Sequence, residues 1–192
     1  MNRSESDIIK RIISGDLDAY KILVDKYSQE IMNLCFRYLN SYPDAEDATQ
    51  DVFIKAYRAL GDWEPRAQFK TWLYRIAINH CLNLVRRQQK IIFQSLAYYP
   101  DKDGKDKSFE KTVGEAEAED HLMQKQLRVK LRAAVNKLPE NQRQVIILYY
   151  YQKLSYLEIA EILETSLSSV ESRLFRAKKS LAKILKKDDF DF

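Results

Sequence analysis

Lys153–Lys179 reads KLSYLEIAEILETSLSSVESRLFRAKK. Ser155-Tyr156-Leu157-Glu158 has the S-x-x-E form of a capping box, in which the hydroxyl and the carboxylate satisfy two backbone N–H groups at a helix start. The spacing predicts a helix from Tyr156 with Ile159, Ala160 and Leu163 on its inner stripe. Glu164 to Leu167 form a turn without Gly or Pro. Val170, Leu174, Ala177 and Leu181 then recur at i, i+4, i+7 and i+11, so two short helices share one small core. Glu164 or Thr165 has to take the left-handed turn position that a Gly often fills. Outside its stripe the second helix presents Ser168, Ser169, Glu171, Ser172, Arg173, Phe175, Arg176, Lys178 and Lys179. Short polar groups near the start and basic groups further along suit a major groove and its flanking phosphates. A helical hairpin with a solvated basic face has the same pattern, and spacing alone does not separate the two.

Upstream the pattern is also helical, and the expected fold class is all-α. The four glycines and four prolines punctuate 192 residues at few places. Ser4 to Ile13 starts on capping residues and can end at Gly15. From Asp16 to Asn40, Ala19, Leu23, Val24, Tyr27, Ile31, Leu34, Cys35 and Tyr38 make one buried stripe. Ser41 to Asp44 reads as a turn, followed by a helix with Ala45, Ala48, Val52, Ala56 and Ala59 inward. Gly61 to Gln68 reads as a loop. The stripe Phe69, Trp72, Leu73, Ile76, Ala77 and Leu84 then marks a helix ending near Arg86-Arg87. Leu96 to Asp120 is poor in large apolar residues after Tyr99 and rich in alternating charge, the composition of a linker. His121 to Lys187 is helical again, with Pro139 as a helix starter. The expected organisation is a first helical domain over 1–95, a flexible charged linker over 96–120, a second helical domain over 121–187 and a tail over 188–192.

Composition excludes several classes. No apolar run approaches the roughly 20 residues that cross a bilayer, and MNRSESDIIK lacks the apolar core of a signal peptide, so a cytoplasmic location is expected. Cys35 and Cys81 are flanked by apolar helical residues and read as buried reduced thiols, with no CxxC or HxxxC spacing beside them. No Gly-rich phosphate loop is present, and His80 and His121 have no metal-ligand spacing. His80 reads as a packed helix residue. No catalysis, cofactor or metal is expected. The net charge of +4 is modest for 31% charged residues, and its uneven distribution carries more than its total. On the helix after Pro43, the face opposite Val52 carries Asp47, Gln50 and Ile54 with Asp51 at its edge, an acidic surface with an exposed aliphatic group that reads as a contact site.

Three stretches carry a resemblance. DAEDATQDVFIKAY (Asp44–Tyr57), FKTWLYRIAINHCLNLVRR (Phe69–Arg87) and LPENQRQVIILYYYQKLSYLEIAEILETSLSSVESRLFRAKKSL (Leu138–Leu181) resemble, in that order, regions 2.2, 2.3 with 2.4, and 4 of the extracytoplasmic-function (ECF) group of the bacterial sigma-70 family. The length leaves no room for the additional regions of primary sigma factors. The resemblance implies a factor that binds core RNA polymerase, directs it to promoters and helps to open the DNA. It implies that Asp47, Gln50, Asp51 and Ile54 dock on the basic coiled coil of the beta-prime clamp, that region 4 meets the beta flap, and that an anti-sigma factor restrains the protein. For the minus 10 element it points to the loop carrying Trp63, Arg66 and Gln68 and to Lys70, Tyr74, Arg75, Asn79, Asn83, Arg86 and Arg87, read as exposed. A loop can pocket a flipped base while basic groups hold phosphates. Phe69, Trp72 and Leu73 are read as core. Recognition of the minus 35 element is assigned to Glu171, Ser172, Phe175 and Arg176 among the outward groups of their helix. Position 171 is usually basic in the family. Glu171 would instead repel phosphate, accept from cytosine N4 or favour the positive helix N-terminus. Tyr149 stands where relatives often have a basic phosphate contact. Two other readings remain at this level: a regulator joining a helix-turn-helix to a helical sensor domain, and a polymerase-binding adaptor that would not need the basic recognition face.

Overall fold

The computed structural model describes residues 5–63, 68–98 and 119–188, with side chains over 5–63, 68–90 and 127–186. All regular structure among them is helical. The first bundle comprises α1 (Glu5–Ile13), α2 (Leu17–Leu39), α3 (Tyr42–Arg58) and α4 (Phe69–Tyr98), with a 3₁₀ turn at Leu60–Asp62. The second comprises α5 (Glu119–Asn136), α6 (Glu140–Ile146), α7 (Tyr156–Ile162) and α8 (Leu167–Asp188), with a π turn at Ile147–Tyr151.

Local signals explain most boundaries. Gly15, at φ 101°, ends α1: its N–H reaches the Ile12 carbonyl and the Asp16 N–H reaches that of Arg11, the paired bonds of a Schellman motif. Asp16 then caps α2 by accepting from the Ala19 N–H at 3.2 Å. Asn40, at φ 55°, ends α2 in the left-handed conformation that Asn tolerates. Ala19, Leu23, Tyr27, Ile31, Leu34, Cys35 and Tyr38 are buried along one stripe of α2, as their spacing predicts. They meet Ala45, Ala48, Val52 and Ala56 of α3 and Phe69, Leu73, Ala77 and Cys81 of α4. Alanines on the α3 seam bring its axis close to α2.

Several sequence expectations change. Ser41–Asp44 is not a turn. Ser41 is the N-cap, accepting from the Asp44 N–H at 3.4 Å, and Pro43 lies in the first turn of α3, where a missing N–H costs no intrahelical bond. Helix α4 does not end near Arg86-Arg87 but continues to Tyr98, because Gln88 to Leu96 contains no Gly or Pro and consists largely of good helix formers. Leu60–Asp62, partly inside the expected loop, is a 3₁₀ turn. Of the expected linker, Leu96–Tyr98 and Glu119–Asp120 are helical, while 99–118 lies outside the described residues, as do Arg66 and 189–192.

The capping box forms at Ser155: its hydroxyl accepts from the Glu158 N–H at 3.3 Å, and its own N–H donates to Glu158 Oε2 at 2.7 Å. The Ser155 hydroxyl also donates to Glu158 Oε2 at 2.7 Å, and that bond, then the one from the Ser155 N–H, holds the Glu158 carboxyl below its ordinary value. A depressed folded-state pKa contributes stability that is present above the ordinary carboxylate pKa and is lost as pH falls through the folded value. Ser155→Ala is therefore expected to cost about 1 kcal/mol in urea unfolding at neutral pH. The gap to the wild type should narrow on acidification through the Glu158 pKa. A gap independent of pH would show that the carboxylate takes no part.

Candidate polymerase and promoter interfaces

Three faces carry the candidate residues. On α3, Asp47, Gln50 and Asp51 are exposed and Ile54 is 48% exposed, all away from the Ala45–Ala48–Val52 seam. The sequence reading missed two parts of this face. Tyr57, 41% exposed and one turn beyond Ile54, extends it. Its ring meets that of Tyr20 edge-on at 5.0 Å, and the Tyr20 hydroxyl donates to the Phe53 carbonyl at 2.6 Å. The i, i+3 spacing of Ile54 and Tyr57 was readable; the Tyr20 buttress, arriving from α2, was not. His80 is packed, as expected, but it also backs this face. Its Nδ1 contacts Lys55 Nζ, and its Nε2 lies 3.3 Å from Asp51 Oδ2 without hydrogen-bond alignment. Burial, then Lys55, pushes the His80 pKa down against the pull of Asp51. The Cys35 and Cys81 thiols are both free and buried, and Cys81 is held above its ordinary pKa by its hydrogen bond to Cys35 and by burial.

The second face lies around α4, and here the structure corrects the expectation of free exposure. Gln68, Asn79, Asn83 and Arg87 are exposed. Trp63 is half-buried with its Nε1 enclosed and unpaired, and Lys70 is held by Glu30 at 2.8 Å. Tyr74 is wholly buried, not exposed. Its hydroxyl donates to Glu30 Oε2 at 2.9 Å and also reaches Gln152 Oε1 at 3.1 Å. Burial, then the Glu30 carboxylate, raises its pKa. Burial opposes the ionised form of Glu30, yet Lys70 and Tyr74 hold its carboxyl below the usual value. Arg75 pairs with Glu164 at 2.7 Å and Arg86 with Glu140 at 2.7 Å. The sequence reading counted Tyr74 among the exposed groups; its hydroxyl instead meets Glu30 of the first bundle and Gln152 of the second. Phe69 and Leu73 are core, and Trp72 is packed against it, as expected.

The third face is α8. Val170, Leu174 and Ala177 are buried, while Ser168, Glu171, Ser172, Phe175, Arg176, Lys178 and Lys179 are exposed and Ser169 and Arg173 half-exposed. Glu171, Ser172, Phe175 and Arg176 line one shallow open depression. Phe175, at 71% exposure, is the most exposed large apolar side chain among the described residues. An aromatic ring beside a guanidinium, both free of the core, suits the edges and methyl groups of bases. Glu164 takes the left-handed turn position at φ 49°, one of the two candidates for it. Nothing in the sequence signalled the π turn before α7. Its Gln152 N–H reaches the Ile147 carbonyl at 3.2 Å, and it turns Tyr149 against Tyr150 and Tyr156, with ring centroids 4.9 and 5.2 Å apart.

Among the described residues no group of His, Cys, Asp and Glu could hold a metal ion, and no helix is long and apolar enough to cross a membrane. Residues 23–91 match the family model described as Sigma-70 region 2, and residues 128–181 that of Sigma-70, region 4. The chain is 32% identical over 188 residues to the RNA polymerase sigma-H factor of Pseudomonas aeruginosa, covering 94% of this chain and 93% of that protein. It is 33% identical over 178 residues to the ECF RNA polymerase sigma factor SigW of Bacillus subtilis, covering 93% and 95%. Among solved structures, CnrH in complex with the cytosolic domain of CnrY matches with a TM-score of 0.67 at 25% identity, over 94% of this chain and 96% of that one. With both region models in order on its two bundles, and with these relatives matched almost end to end, the chain belongs to the ECF group of the sigma-70 family.

Proposed function

We propose that this sigma factor docks on core polymerase through the acidic α3 face, contacts the minus 10 element through the α4 face and its preceding loop, and reads the minus 35 element through α8. The observation that carries the reading is the division of labour between surfaces on separate helices. An acidic, partly apolar face turns outward on α3, and a mixed polar, aromatic and basic face turns outward on α8. Acidic groups on α3 would repel DNA but complement a basic protein surface, with Ile54 and Tyr57 supplying apolar area beside them. The helix-turn-helix regulator and the adaptor are each disfavoured by the pairing of those two faces, since each would leave one without use. Phosphodiester synthesis belongs to the polymerase, and this chain supplies recognition and strand separation. CnrH, solved with the cytosolic domain of CnrY, supports a protein partner of that kind restraining this chain as an anti-sigma factor.

The test is core binding. Asp47→Ala, Gln50→Ala and Asp51→Ala combined should weaken affinity for core polymerase at least tenfold, about 1.4 kcal/mol, and flatten its salt dependence. Affinity of the second bundle for duplex promoter DNA should not change. Wild-type affinity for core polymerase at low salt would refute the docking assignment.

A further inference from the structure

Asp47, Asp51 and Lys55 follow one another at one-turn spacing on α3, and an Asp four residues before a Lys ordinarily pairs with it along a helix. Here that pair does not form. Among the described residues no direct ion pair joins Asp51 to Lys55; the His80 ring of α4 turns one nitrogen to each instead. Nδ1 contacts Lys55 Nζ, and Nε2 lies 3.3 Å from Asp51 Oδ2. An ammonium has protons to give and no lone pair, so Nδ1 is the acceptor and the neutral ring carries its proton on Nε2, toward Asp51. That nitrogen is enclosed and makes no aligned hydrogen bond. The ring is only 8% exposed, while the Asp51 side chain in front of it is 57% exposed and open to a partner.

We propose that His80 is a positioning residue for docking on core polymerase: it holds the Lys55 ammonium off Asp51 and so leaves that carboxylate to the basic surface of the polymerase. The inference rests on the reading of α3 as the docking face. A lysine closed onto Asp51 would cancel one of the charges that complement the polymerase. The ring prevents this only while it is neutral. Once protonated, both nitrogens are donors, so Nδ1 no longer accepts from Lys55 and the imidazolium itself cancels Asp51.

The sign of the pH dependence follows. Docking favours the neutral ring, so a proton on His80 and the polymerase on α3 oppose each other, and by reciprocity docking lowers the His80 pKa further. Of the elements packed on α4, only α3 turns charged groups to the ring among the described residues, and these are Lys55 and Asp51. Burial, then Lys55, already places the pKa below the ordinary histidine value of about 6.5, with Asp51 opposing. The His80 contribution to affinity is therefore constant above about pH 6.5 and is lost as pH falls through the lowered value.

The experiment uses the full chain and has two arms. The chain has two histidines, so the His80 ring signal in an NMR titration is the one absent from His80→Gln. Lys55→Met should raise its midpoint and Asp51→Asn should lower it. In the second arm, core polymerase binding is measured from pH 7.5 to 5.5 at constant ionic strength. Over that range the wild type should lose about two- to fivefold more affinity than His80→Gln, which cannot gain a proton there. At pH 7.5, His80→Ala lets Lys55 close on Asp51 and should bind about two- to fivefold more weakly than the wild type. Gln at that position, with an oxygen for Lys55 and an amide for Asp51, should recover most of the loss. Should His80→Ala lose helix by circular dichroism, the comparison of His80→Gln with the wild type still decides. A midpoint moved by neither α3 substitution would overturn the bridge. Parallel pH profiles for the wild type and His80→Gln would overturn its role in docking. Failure of the docking reading itself would appear elsewhere, as wild-type core affinity of the combined Asp47, Gln50 and Asp51 variant, and would leave the NMR result standing.

Discussion

Arg176→Ala is expected to weaken binding to the minus 35 element by about 1–3 kcal/mol, the range for losing a side chain that reads a base edge. Arg176 is exposed, and its Nε donates only to the Ser172 carbonyl within its own helix at 3.2 Å, so no core contact is lost with it. Helix content and unfolding midpoint should therefore match the wild type. Glu171→Lys, on the same depression, should act differently. It exchanges a group that repels phosphate for one that attracts it. Affinity should rise across many sequences, the salt slope should steepen by about one unit, and discrimination between elements should fall. The measurement is binding of core polymerase loaded with each variant to promoters differing only at minus 35, over a salt series. If both variants transcribed the same promoters with unchanged strength and salt response, α8 would be a solvated surface helix and the minus 35 assignment would be lost.

Leu34→Ala should have the largest effect on stability, about 2.7–5 kcal/mol by urea unfolding. Leu34 is wholly buried on α2, the helix that α1, α3 and α4 all pack against. Truncation removes both its transfer free energy and the contacts around the void. Domains of this kind have about 5–15 kcal/mol in total, so the variant loses a large fraction of its stability, and core binding should fall as temperature rises before that of the wild type without any interface residue changing. Ile54→Ala supplies the contrast. Ile54 is half-exposed, so stability should move by less than about 0.5 kcal/mol, while affinity for core polymerase should fall. If Leu34→Ala cost no more than Ile54→Ala, the α2 stripe would not be the centre of the first bundle.

What the sequence by itself determined was everything that depends on neighbours a few residues apart. The 3.6-residue period of Leu23, Tyr27, Ile31 and Leu34 chose the buried side of α2. The Ser155–Glu158 box started α7, Gly15 stopped α1, and Val170, Leu174 and Ala177 turned Glu171, Phe175 and Arg176 outward. The α3 and α8 faces were legible for that reason, because a side chain opposite a buried stripe on an outer helix meets solvent whatever the rest of the fold does. The α4 face was not. Tyr74 bonds to Gln152 and Arg75 to Glu161, partners 78 and 86 residues away, and no local rule carries information over that distance. Only the packing of the second bundle on the first decided that the Tyr74 hydroxyl reaches Gln152 and that Arg75 and Arg86 already have anionic partners. The physical reason is one of range. Periodicity reports the burial of a stripe within one helix, whereas the contacts across the two bundles join side chains far apart in sequence, so no local spacing records them.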